Sequence, residues 1–160
     1  MVLALSAAVA FGLSGGALGR PRAFTARSNS FCADAWATIT TLVGPSDPKR
    51  QIRYATDRYT AIEHAVSALT DSTLPSGATG HALRAHWLRP ARASLLAGRA
   101  PLQNLRVAVN RADTTGSAAL TLTTAAFAPT QSIGTQGVDL ALLRRSGLNQ
   151  CARLFTPGRS

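Results

Sequence analysis

The chain has 160 residues, the length of one domain with a normal core, and 46% of them are apolar. Seventeen Lys and Arg face seven Asp and Glu, a formal net charge of +10, and Lys49 is the only lysine. From so few acids and three histidines, no carboxylate pair, Ser-His-Asp set or metal cluster can be assembled, so the sequence assigns no catalytic, cofactor-binding or metal-ligating residue. GxxG occurs only as Gly12–Gly15, inside an apolar leader, and as Gly77–Gly80, without the flanks of a nucleotide loop.

The positive charge reads either as a surface drawn to anionic partners or as arginine-rich coding that inflates the count, and the scatter of the arginines favours the latter. Its arginines are scattered from Arg20 to Arg159 with no run longer than two, and aromatics are few. Nucleic-acid modules cluster their cations and interleave aromatics for stacking, so nucleic acid is disfavoured. Anionic envelope polymers or lipid fit the charge better. Dense alanine favours helix and leans the composition to all-α.

Val2 to Leu18 carries no charge, and Ala17-Leu18-Gly19 places small residues where a signal peptidase reads. Residues 1–19 are therefore expected to be a cleaved signal peptide. The alternative is a membrane anchor retained over residues 2–18, a length near the lower limit for a span. No positive n-region precedes the apolar run, which suggests a true start upstream of Met1. Residues 20–30, with Pro21 and three arginines, read as a flexible lead-in.

The folded domain is expected over 31–155. Phe31 to Val43 reads as a first helix with Cys32, Ala35, Trp36, Ile39, Leu42 and Val43 on one face. Gly44-Pro45-Ser46 ends it. Pro48 to Thr70 is the most regular stretch. Ile52, Ala55, Tyr59, Ile62, Val66 and Leu69 step by threes and fours, one apolar stripe on a helix. Asp47 stands as its N-cap and Pro48 at its first position. Lys49 and Arg50 oppose the macrodipole there. His64 falls off the stripe and should face solvent.

Asp71 to Gly80 reads as a loop, followed by a helix from His81 to Gly98 that should kink or restart at Pro90. His81 and His86 are five apart, the wrong spacing for ligands on one helix face. Arg84, Arg89, Arg92 and Arg99 make this the most basic segment, the candidate anion-binding face. Pro101 opens a further run through Leu102, Leu105 and Val109. Helix is expected through 104–124, with a β-hairpin about the Asp113–Gly116 turn as the alternative, because Leu105, Val107 and Val109 also alternate. Pro129 to Gly137 is a loop. Val138 to Phe155 forms the last helix, weakened midway by Gly147, and 156–160 is a polar tail.

The result is an up-and-down bundle of four to five helices. In a bundle of even helix count, Cys32 and Cys151 come to the same end, and export would sustain a disulfide between them. The layout of a Val2–Gly19 export-like segment, Cys32 in Phe31-Cys32-Ala33-Asp34 and Cys151 in the final helix resembles small exported helical-bundle proteins of unknown function from high-GC bacteria. The resemblance implies an exported helical protein and carries no activity, cofactor or site residue. The expected role is non-enzymatic binding or packing at the cell envelope. A membrane-anchored protein and an enzyme without a recognisable signature are the alternatives.

Overall fold

A computed structural model describes residues 19–40, 47–112, 121 and 124–156. The chain is all-α, and no strand occurs among the described residues. Six helices are formed there: α1 (Gly19–Ala37), α2 (Pro48–Thr70), α3 (Gly77–Leu83), α4 (Arg89–Ala112), α5 (Leu140–Arg145) and α6 (Asn149–Leu154). A π turn, Arg84–Leu88, joins α3 to α4 without interruption, and a 3-10 turn, Ala128–Ser132, precedes α5. The export-like segment at 2–18 and most of 113–123 lie outside the described residues. No helix among those described is long and apolar enough to cross a membrane.

Helix α2 forms as its caps dictate. The Asp47 carboxylate accepts the Arg50 N–H at 3.1 Å and pairs with its guanidinium at 3.4 Å, which offsets part of the unfavourable charge in that first turn. Its buried face includes Ala55, Ile62, Val66 and Leu69 but is broader than the stripe, taking in Gln51, Tyr54, Ala61 and Arg58 as well. That breadth lets α2 pack on α1 along one side and α4 along the other.

Residues 20–30 are not a flexible lead-in; they form the first half of α1. Phe24, Ser28 and Cys32, spaced by four, are buried on one stripe against α6. Asn29 donates to the Gly147 carbonyl at 2.8 Å and accepts the Gln150 N–H at 3.0 Å, so α1 supplies a cap to α6. The low apolar content of the segment hid this, because one phenylalanine and a polar clamp hold it. At its other end, α1 stops at Ala37, before the expected Val43.

At Pro90, where a kink or restart is expected, the run from Gly77 to Ala112 does not restart. Pro90 cannot donate to the His86 carbonyl four residues back. The preceding turn widens instead, with the Arg89 N–H reaching the Arg84 carbonyl in π geometry. The His86 carbonyl accepts the Asp139 N–H at 2.9 Å. Pro101 lies inside α4, where Leu95, Leu102, Leu105 and Val109 bury against one core on both sides of it. Residues 104–112 are therefore helical, and the hairpin alternative is excluded for them.

The expected loop at 129–137 is docked, not loose. Ser94 Oγ accepts the Gly134 N–H at 2.9 Å and lies 3.2 Å from the Ser132 carbonyl, to which it donates. Ile133 sits over Gly98, where an added Cβ would come within 2.6 Å of its side chain.

The expected last helix is two. Gly147, at φ 73°, ends α5. Its N–H bonds the Arg144 carbonyl at 3.0 Å and the Leu148 N–H bonds Leu143 at 2.8 Å, the paired closure of a Schellman motif over buried Leu143 and Leu148. The chain then turns into α6, which carries Cys151 against α1.

Cys32 and Cys151 form a disulfide, both completely buried. They are 119 residues apart, and in the chain-entropy model a loop of that size contributes about 5 kcal/mol. The Ser28 carbonyl touches Cys151 Sγ at 3.2 Å. Trp36, half-buried beside this joint, carries the Arg153 guanidinium 4.9 Å from its ring centroid. Trp87 and Phe155 meet edge to face at 5.8 Å deeper in the core.

Candidate anion-binding groove

All four arginines singled out in the sequence are exposed. Their helix divides them. Arg92 and Arg99 face α2 and line a groove of about 290 Å³ between the two helices; Arg84 and Arg89 lie outside it. Buried Val66 and Leu95 make the floor apolar, exposed Leu96 stands at the outer rim, and the α2 wall brings Tyr59, Glu63 and Asp71. The groove continues along the same helix pair past Arg99 to Arg106 and Gln103, opposite Thr56 and Thr60. Tyr59, Glu63 and Arg99 belong to both halves.

Arg92, Arg99 and Arg106 recur every seven residues. On an α-helix that spacing keeps them near one line, each about 10.5 Å from the next. Arg99 is anchored: its Nε donates to the Tyr59 hydroxyl at 3.4 Å. That bond, with the nearby Glu63, raises the pKa of a guanidinium that is charged in any case. The facing acids make the groove a cationic rail with an acidic inner wall, not the purely basic face that the sequence suggested.

Arg106, Tyr59 and Glu63 were not foreseen as parts of this site. Arg106 could have been found by continuing the helix through Pro101, which exposes the heptad spacing. Tyr59 and Glu63 come from α2, and only the packing of α2 on α4 brings them in.

A second groove, of about 540 Å³, separates α1 from α2. Ala35, Ala61, Ala65 and Ala68 floor it, and Asp34, Asp57 and His64 stand at its edges. Asp57 is engaged there by Thr40, through both the hydroxyl and the backbone N–H, and by Arg53 at 4.0 Å. His64 is exposed, as its position off the stripe requires. Among the described residues, no three His, Cys, Asp or Glu side chains are grouped to hold a metal ion.

The buried cation is elsewhere. Arg58, 2% exposed, donates to the Gln131 carbonyl at 2.6 Å and the Thr156 carbonyl at 3.0 Å. Burial lowers its pKa, and Tyr54 opposes that shift. It ties α2 to the 3-10 turn and to the chain just beyond α6, and is structural. No protein-family model, curated protein sequence or solved structure matches the chain.

Proposed function

We propose that this is an exported, non-catalytic binding protein whose α2–α4 groove takes an anionic partner at the cell envelope. The observation that carries the reading is the line of Arg92, Arg99 and Arg106 along one groove, with Arg99 held in place by Tyr59. Three cations at regular intervals suit a partner with repeated negative charge, and each exposed contact contributes modestly and is screened by salt. The Cys32–Cys151 disulfide supports export, since such a bond persists in an oxidising compartment. The uncharged run from Val2 to Leu18 is consistent with a signal or anchor.

Salt-gradient elution from an anionic matrix tests the groove. Replacing Arg92, Arg99 and Arg106 by Gln should advance elution well beyond the same charge removal at Arg22, Arg27 and Arg144, which are exposed elsewhere. Equal shifts for both triple variants would show that only net charge acts, and the groove would lose its role.

A further inference from the structure

The outer face of α4 carries more than charge. Leu96 is 55% exposed and Val107 38% exposed. They are eleven residues apart, about 16 Å along the helix and within about 20° of each other around it. Ala100 and Gln103, both exposed, lie between them. Arg92, Arg99 and Arg106 run along the groove side of that line. An apolar seam edged by cations in heptad register is one half of a helix–helix interface.

We infer that α4 is the docking surface for an acidic amphipathic helix of a partner protein. The inference rests on the reading of this groove as anion-binding and names the partner class. A helix repeats its carboxylates every seven residues at the same interval of about 10.5 Å as the arginines, and so stays in phase with all three. An extended strand repeats one face every 6–7 Å or so and falls out of phase. Apolar residues three and four apart on the partner would cover Leu96 and Val107. A second copy of this chain does not fit, because its α4 would set arginine against arginine at a net charge of +10. An anionic lipid surface has no heptad repeat to match the three arginines, and vesicles test it separately.

The test uses the full chain with its disulfide intact. Three probes are compared: a helix-stabilised peptide with Glu in heptad register beside a Leu seam, a permuted peptide of the same composition, and vesicles containing anionic phospholipid. The matched peptide should bind about tenfold or more tighter than the permuted one. Leu96→Ser and Val107→Ser together should abolish that preference; both sites are exposed, so unchanged thermal unfolding verifies the fold. Equal binding of both peptides, lost on replacing the three arginines, would overturn the helix assignment and leave the anion-binding groove standing. Stronger binding to the vesicles than to either peptide would do the same. No binding to any probe would remove both readings.

Discussion

The His86 carbonyl accepts the backbone N–H of Asp139 at 2.9 Å. Pro90 leaves that carbonyl without its usual donor in the helix, and a residue from the C-terminal third supplies one. Asp139 then uses its side chain to cap α5, accepting the Leu142 N–H at 2.8 Å. One residue thus repairs the proline site and starts the next helix.

Asp139→Ala should cost about 1 kcal/mol through loss of the cap, while Asp139→Asn should cost far less, since both side chains cap well. Urea unfolding separates the two. Hydrogen exchange should find the Asp139 amide protected like one inside a helix, although it precedes α5. Exchange at the rate of an open loop would show that the bond to His86 is not made.

Arg58 predicts a larger effect. Arg58→Ala leaves the Gln131 and Thr156 carbonyls without their donor in a buried site and opens space around them. The expected loss is about 3 kcal/mol or more. Arg58→Met keeps most of the volume and should cost less. A change below about 0.5 kcal/mol for Arg58→Ala would mean the site behaves as surface.

Gly98→Ala sets two terms against each other. Helix propensity favours alanine by about 1 kcal/mol. The new Cβ would meet Ile133 at 2.6 Å, and overpacking of that kind costs about 1–3 kcal/mol. Net destabilisation is expected, and Ile133→Ala should relieve part of it, so the two changes together should be less harmful than their sum. Strict additivity in thermal unfolding would contradict the contact.

Tyr59→Phe removes the hydroxyl that holds Arg99 and leaves the ring. Affinity for the matched acidic peptide should fall a few-fold, with little change in stability because Arg99 is exposed. Unchanged affinity would show that Arg99 needs no positioning.

The parts of the fold that were legible in the sequence are those fixed locally. The Asp47 cap, Pro48 and the stripe from Ile52 to Leu69 define α2 within a few residues of each other. Pro90 marked a kink or a restart without deciding between them, because the donor that repairs the site comes from Asp139, far along the chain. The α1 residues at 20–30 looked loose because their partners, Gly147 and Gln150, lie near the other end. The break at Gly147 was visible as a weak point but not as a stop, since the Schellman closure depends on buried Leu143 and Leu148. At the groove, Arg92 and Arg99 were readable from composition. Arg106 lies beyond Pro101, which reads as the start of a new run, and the α2 wall depends on packing alone.

The claim on which the rest depends is that Cys32 and Cys151 are joined in the working protein. Intact mass of the protein from its native host, alkylated under denaturing conditions with and without prior reduction, is the direct test. A joined pair gives no alkylation before reduction and two alkylated thiols after it, on a chain that retains both cysteines. Two thiols alkylated without reductant would contradict the closed chain and, with it, the oxidising compartment that the proposed role requires.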